Sequence, residues 1–157
     1  MVTTPSERLS ALGLELPPVA APVAAYVPAT ATCGHVVTSG QLPTIAGELV
    51  ARGKVGAEVS IEVAVDAARV AGLNALAAAA SVAGGLDSIA RVVKATVFVA
   101  CTPDFTAQPQ VANGASQLFV DVFGEAGQHV RSAVGVPVLP LDAPVEIELV
   151  VEPVGVR

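Results

Sequence analysis

Arg131 and Glu146 are the two residues of this chain whose types and spacing point to chemistry. Arg131 lies in an apolar segment at 130–136, and Glu146 lies in a second one at 145–151. A guanidinium inside a sheet requires an anion or several acceptors, and its planar fork suits a carboxylate. The anion is either a ligand carboxylate or Glu146, in a structural Arg–Glu pair between neighbouring strands. Glu148 points the same way as Glu146 in a regular strand and is an alternative partner.

Few other side chains have a spacing that suggests catalysis or metal binding. The chain has two cysteines, Cys33 and Cys101, and two histidines, His35 and His129. Neither pair has zinc-site spacing, so Cys33 and His35 are weak metal candidates. Two unpatterned cysteines fit a reducing compartment. We expect His129 at the surface or in a loop, or else at the mouth of a pocket, and Lys94 to be a structural charge.

Composition and charge exclude several classes of protein. Apolar residues make up 53% of the 157 residues, which is enough for one domain with a large core. The net charge is −6 and the eight basic residues are dispersed, so no nucleic-acid partner is expected. The start of the chain lacks the pattern of a signal peptide. The apolar stretch at 63–85 contains Asp66 and Arg69, so it indicates a buried helix and no membrane partner. We expect a cytoplasmic protein.

The first third of the chain predicts a hairpin next to irregular segments. A short helix is expected over 6–14, ended by prolines. Residues 19–31 are expected to be extended, and their prolines favour an edge strand. Residues 35–39 form a second strand that pairs back on the first. Residues 44–56 contain three glycines and predict a loop with a short extended piece.

The rest of the chain predicts two helices and three strands. A long helix is expected to begin at Ala57, because Glu58, Glu62, Asp66 and Arg69 form one polar stripe. It ends at a Gly-Gly pair. The remaining elements are a strand at 92–100, a helix at about 110–123, and strands at 131–138 and 145–152. Thr102 or Asp104 is expected to cap the second helix.

This element order predicts an α+β two-layer domain, with two helices on one face of a mixed sheet. The strand at 92–100 has the apolar pattern of a strand buried on both faces. No further helix remains to cover the second face, so another copy of the chain is its simplest cover and a homo-oligomer is expected. Residues 1–18 are predicted to form an N-terminal extension and residues 19–157 a single domain.

Over residues 19–152 the chain resembles the RidA/YjgF family. The resemblance is carried by residues 38–43 (TSGQLP), residues 93–99 (VKATVFV), and Arg131-Ser132 followed by residues 145–148 (VEIE). It implies a chorismate-mutase-like fold and a homotrimer with a pocket at each subunit interface. It also implies cofactor-free hydrolysis of reactive enamines and imines, such as 2-aminoacrylate, to a 2-keto acid and ammonia. The N-terminal extension marks a divergent subgroup.

The resemblance implies roles for five residues. Arg131 would hold the carboxylate of the substrate, and Glu146 would position or activate water at the imine carbon. Tyr26, Ser39 and Asn113 match residues that line the substrate pocket. Each of these three also has a structural reading: a core tyrosine, a turn serine and an asparagine in the first turn of a helix.

Two departures from the family pattern limit the chemistry. Ala133 stands where many members carry a cysteine, and Gly135 where many carry a glutamate. A cysteine nucleophile at that position is therefore excluded. Two other functions stay open: a non-catalytic protein that binds small carboxylates or keto acids in the same pocket, and a ribonuclease. The acidic balance and the lack of a catalytic histidine pair argue against the ribonuclease.

Overall fold

The computed structural model describes residues 3–22 and 24–155, so the outer ends of both predicted domains lie outside the described residues. Within them, a five-stranded mixed sheet carries two long helices on one face, which confirms the predicted α+β two-layer domain. The strands of this sheet are β1 (Ala29–Thr32), β2 (His35–Thr38), β5 (Ile89–Ala100), β6 (Val130–Val136) and β7 (Val145–Pro153). Their spatial order is β1-β2-β7-β5-β6, and only β5 and β6 run parallel.

The predicted hairpin forms between β1 and β2. Its two turn residues, Cys33 and Gly34, both have a positive φ (46° and 79°), as tight hairpin turns require. The upstream segment is less regular than predicted, because only its last residues join the sheet. A second hairpin, of strands β3 (Thr44–Ile45) and β4 (Glu48–Leu49), occupies the region predicted as a loop.

The long helix α2 (Ile61–Ala83) begins four residues later than predicted. Ser60 is its N-cap and accepts a hydrogen bond from the backbone N–H of Val63 at 3.2 Å. Glu58 lies outside the helix, because its carboxylate accepts a hydrogen bond from the backbone N–H of Lys54 at 2.9 Å. The helix ends at Gly84 in the left-handed conformation, as predicted.

The second long helix, α3 (Gln108–Phe123), packs closely against α2 through small residues. Its N-cap is Ala107, which makes no side-chain cap, so the prediction of a Thr102 or Asp104 cap is wrong. A β-carbon on Gly114 would collide with the backbone oxygen of Val65 on α2. Glycine at this position therefore permits the approach of the two helix backbones.

A short helix, α1 (Pro5–Ala11), ties the N-terminal residues to the domain. Thr4 and Glu7 form a reciprocal capping box at its start. Leu9 is buried within the main core, and the backbone N–H of Ser6 donates to Asp87 Oδ1 at 2.8 Å. This helix therefore packs on the domain that follows it.

The two faces of the sheet differ in burial. On the helix-covered face of β5, Ala95, Val97 and Val99 are fully buried. On the opposite face, which we call the open face, Lys94 is exposed and Phe98 is partly buried. Within one chain, β5 is therefore buried on its helix-covered face only. That a second copy covers the open face stays a prediction.

Helix α2 is also the one described helix long and apolar enough to cross a membrane. Two thirds of its most apolar window (67%) is buried against the rest of the chain. This burial is the one expected of the core helix of a small soluble domain.

Candidate functional site

Arg131 lies on the edge strand β6 and points toward α3. Its register partner on β5 is Ala95, which is buried beneath the helices. Its Nη1 donates to Asn113 Oδ1 at 2.8 Å and to Ser116 Oγ at 3.1 Å. Asn113 and Ser116 are three residues apart, so they share one side of α3. The structure thus brings Arg131 and Asn113, two of the predicted site residues, into direct contact.

The remaining donors of Arg131 have no hydrogen-bond partner among the described residues. Nη1 carries two hydrogens, and both are donated to α3. The two ion pairs within the described part of the chain are Lys54–Asp142 and Arg69–Asp121, and neither involves Arg131. The edge formed by Nε and Nη2 is therefore available for a bidentate bond to a carboxylate.

Of the two alternatives left open by the sequence, the structural Arg–Glu pair between neighbouring strands does not form within one chain. Strands β6 and β7 both pair with β5, one on each side, and not with each other. Glu146 pairs in register with Phe98, whose side chain lies on the open face. Glu148 lies on the open face too, so neither carboxylate reaches Arg131 within one chain.

Glu146 is a half-buried carboxyl with a raised pKa. Desolvation by burial is the main cause of the raised pKa, and the negative charge of Glu148 adds to it. A β-carbon on Gly40 would collide with the Glu146 carboxylate, so glycine leaves the room that this side chain occupies. A raised pKa makes the ionised Glu146 a better proton acceptor near neutral pH.

Ser39 and Tyr26 lie close to the Glu146 region of the chain. The Ser39 hydroxyl donates to the backbone oxygen of Val27 at 2.7 Å. This bond fits the structural alternative for Ser39, a serine that stabilises a turn. Tyr26 is 48% exposed, so the reading of Tyr26 as core packing is wrong. It lines a cavity of about 540 Å³ together with Gly40, the residue that contacts Glu146.

This cavity is largely apolar. Its apolar lining includes the N-terminal segment 17–21, Leu42 and Leu141. Asn74 on α2 also lines it, and its Nδ2 donates to the backbone oxygens of Leu42 and Thr44, both at 2.9 Å. A volume of this size with few polar groups suits a small organic ligand.

His129 lies in the loop immediately before β6, which agrees with the prediction of a surface or loop histidine, and it is partly buried. Its Nε2 lies 3.0 Å from Ser116 Oγ, and its Nδ1 lies 2.6 Å from the Gly127 backbone oxygen. The Phe119 ring packs edge-on against the imidazole, with the ring centroids 5.4 Å apart. In the sequence, only the position of His129 two residues before Arg131 indicated that it could lie near the site.

The candidate site residues thus form two separate groups. The Arg131 group comprises Arg131, Asn113, Ser116 and His129, at the edge of the sheet beside α3. The Glu146 group comprises Glu146 on the open face, its neighbour Gly40, and Ser39 and Tyr26; of these four, Gly40 and Tyr26 line the 540 Å³ cavity. A single chain does not bring the two groups together.

Metal binding has no support within the described residues, where no group of three or more His, Cys, Asp and Glu side chains could hold an ion. The Cys33 carbonyl instead meets His35 Nδ1 at 3.2 Å. Gly135 lies beside the thiol of Cys101, where a second cavity of about 340 Å³ opens. The side chain expected there in many relatives of this type would collide with Cys101 and Gln108 unless both moved.

The fold is that of a small two-layer α+β protein, with an arginine at the sheet edge and a half-buried glutamate on the open face. The chain belongs to the family described as "YjgF/chorismate mutase-like, putative endoribonuclease", whose model matches residues 6–152. This confirms the resemblance found in the sequence. It places the chain in the YjgF/Rid endoribonuclease-like group.

The chain is also similar to individual proteins along most of its length. The chain is 42% identical to Protein TCP17 of Trypanosoma cruzi over 146 residues, which are 92% of this chain and 91% of that protein. It is similar to the structure of a protein of unknown function from Agrobacterium tumefaciens, with 42% identity, a TM-score of 0.87 and coverage of 95% and 92%. It also resembles E. coli TdcF with bound serine, with 27% identity, a TM-score of 0.61 and coverage of 87% and 93%.

Proposed function

We propose that the protein hydrolyses imines and enamines of small carboxylic acids, such as 2-aminoacrylate, to 2-keto acids and ammonia without a cofactor. The enamine tautomerises to an imine, water adds to the imine carbon, and ammonia leaves as the carbonyl forms. Water is the only co-reactant. The reaction requires an anchored substrate, a positioned water and a group that accepts its proton.

The observation that carries this proposal is the hydrogen bonding of the Arg131 guanidinium. Both hydrogens on Nη1 bond to neutral acceptors, Asn113 and Ser116, which orient the guanidinium without neutralising its charge. Its Nε and Nη2 edge has no partner among the described residues. A planar cation held in this way suits the carboxylate of a substrate.

Glu146 supplies the group that accepts a proton from the attacking water. Burial and the charge of Glu148 raise its pKa, which increases its basicity toward a water molecule. General-base catalysis of this kind contributes about 10²–10⁴-fold to a rate. The cavity beside Gly40 and Tyr26 would receive the side chain of the substrate.

The proposal requires a second copy of the chain, because Arg131 and Glu146 lie on opposite faces of one sheet. We propose the homotrimer that the family resemblance implies, with Arg131 of one copy facing Glu146 of the next. The open face and its edge carry apolar side chains suited to an interface, since Val130 is 66% exposed and Val134 is 45% exposed. We further propose a cytoplasmic protein with neither nucleic acid nor membrane as partner.

The experiment supplies 2-aminoacrylate in situ from serine with a pyridoxal-phosphate dehydratase and follows ammonia and pyruvate. The wild-type protein should accelerate their release above the spontaneous rate. Arg131→Ala should reduce this acceleration at least about 100-fold with the oligomer intact. Arg69→Ala is the matched control, because Arg69 forms an ion pair with Asp121 and neither residue belongs to either group. Activity retained in Arg131→Ala would exclude the carboxylate role.

A second candidate function is binding of a small carboxylate without turnover. The structure of E. coli TdcF with bound serine favours it, since serine carries a carboxylate and that protein shares the fold. In this case pyruvate would raise the Tm of the wild-type protein, and no ammonia would form. The same assay therefore separates the two candidates.

The family description also names an endoribonuclease. His35 begins β2 and His129 immediately precedes β6, and β7 and β5 lie between these two strands, so the two histidines of the chain do not form an acid–base pair within one chain. The chain also carries a net charge of −6, which disfavours an RNA backbone. Cleavage of RNA by the wild type and not by Arg131→Ala or Glu146→Gln would support that activity instead.

A further inference from the structure

We propose that Ser116 and His129 are positioning residues that fix which edge of the Arg131 guanidinium meets a ligand carboxylate. This inference rests on the carboxylate-binding role of Arg131 in the proposed function. It adds two residues that contact no substrate and act through the arginine. Their contacts form a chain from Gly127 through His129 and Ser116 to Arg131.

Gly127 fixes the first contact of this chain. A β-carbon on Gly127 would collide with the backbone oxygen of Phe119, so only glycine lets the turn approach the end of α3 this closely. Its carbonyl oxygen then lies 2.6 Å from His129 Nδ1. The Phe119 ring packs edge-on against the imidazole and restrains its rotation. The backbone therefore holds the imidazole in one orientation.

This geometry determines where the protons lie. A carbonyl oxygen only accepts hydrogen bonds, so Nδ1 of His129 carries a hydrogen and donates to Gly127. In the neutral ring Nε2 is then an acceptor. The Ser116 hydroxyl, 3.0 Å away, donates its hydrogen to Nε2. Its oxygen lone pairs remain free to accept from Arg131.

The arginine is thereby held by its own Nη1 group. Ser116 Oγ accepts at 3.1 Å and Asn113 Oδ1 accepts at 2.8 Å, and together they use both Nη1 hydrogens. The plane of the guanidinium is then fixed, and the Nε and Nη2 edge faces away from α3. Without an acceptor at His129, the Ser116 hydroxyl is free to rotate, and the arginine loses part of this orientation.

The test measures binding of pyruvate to the wild-type oligomer and its variants by calorimetry. His129→Phe keeps a ring against Phe119 but removes Nε2, and Ser116→Ala removes the hydroxyl. We expect each to weaken pyruvate binding about tenfold, the usual effect of a hydrogen bond to a charged group. His129→Gln restores an acceptor and should recover most of the affinity. In turnover, KM should rise while kcat changes little, because the arginine holds substrate and transition state alike.

A double-mutant cycle separates positioning from a general structural effect. In the Arg131→Ala background, His129→Phe should cause no further loss of pyruvate affinity, since its effect passes through the arginine. A loss that persists there, or wild-type affinity in both His129→Phe and Ser116→Ala, would overturn the inference. Pyruvate binding without ammonia release would overturn only the proposed function. No pyruvate binding by the wild type would overturn both.

Discussion

Arg131 and Glu146 lie on opposite faces of one sheet, with β5 between their strands. Arg131 pairs in register with Ala95, and Glu146 pairs with Phe98, three residues further along the same strand. Side chains alternate between faces along a strand, so an odd separation puts the two on different faces. Joint action of Arg131 and Glu146 on one substrate therefore requires two copies of the chain.

The raised pKa of Glu146 predicts a pH dependence that a neighbouring substitution shifts. A general base must be ionised, so kcat/KM should fall as the pH drops through the raised pKa. The charge of Glu148 contributes to this rise, so Glu148→Gln should lower the pKa of Glu146 and move the acidic limb to lower pH. The pH profiles of the two proteins test this. An acidic limb at the same pH in Glu148→Gln would contradict it.

Gly40 should be required for the position of the Glu146 side chain. A β-carbon there would collide with the carboxylate, so Gly40→Ala should lower the free energy of unfolding by about 1–3 kcal/mol, as overpacking does. In a Glu146→Ala background the obstacle is gone, and the same substitution should cost much less. Urea unfolding of the four proteins measures the difference. Equal losses in both backgrounds would show that the contact is not responsible.

Helices α2 and α3 each contain a glycine where they pack together, and we expect alanine substitution of the two to affect stability differently. A β-carbon on Gly114 would meet the backbone oxygen of Val65, which cannot yield, whereas one on Gly72 would meet the Ala115 side chain at 3.0 Å. Alanine favours a helix by about 1 kcal/mol over glycine. Gly72→Ala should therefore change stability little, and Gly114→Ala should destabilise by about 2 kcal/mol.

Thermal or urea unfolding of these two variants provides the measurement, and each is the control of the other. A Gly114→Ala protein as stable as the wild type would show that α2 and α3 are not in backbone contact at this crossing.

The local pattern of the sequence predicted the main helices and strands, because each carries its own periodicity. The spatial order of the strands has no such local signal. Because β6 and β7 are consecutive in the chain, Arg131 and Glu146 were expected to lie close together. In the sheet β5 lies between these two strands, so the two residues are apart. Helix α2 starts later than predicted because the Glu58 carboxylate accepts a hydrogen bond from the Lys54 backbone instead of joining the helix.

The candidate site was predictable in part. Arg131 was identified because a charge in an apolar strand is unusual, and its neighbour Asn113 followed from the family resemblance. Ser116 and His129 had no signal of comparable strength, since their contact depends on how closely the Gly127 turn approaches α3. Such an approach is a tertiary feature that residue spacing does not reveal.

Subunit complementation tests most directly the claim that one catalytic site takes Arg131 and Glu146 from different copies. Arg131→Ala and Glu146→Gln should each be inactive alone. When the two are unfolded together and reassembled in equal amounts, about a quarter of the interfaces should carry both native residues in a symmetric ring. Imine hydrolysis should then return to about a quarter of the wild-type rate. Mixed oligomers that form but release no ammonia above the spontaneous rate would contradict the account.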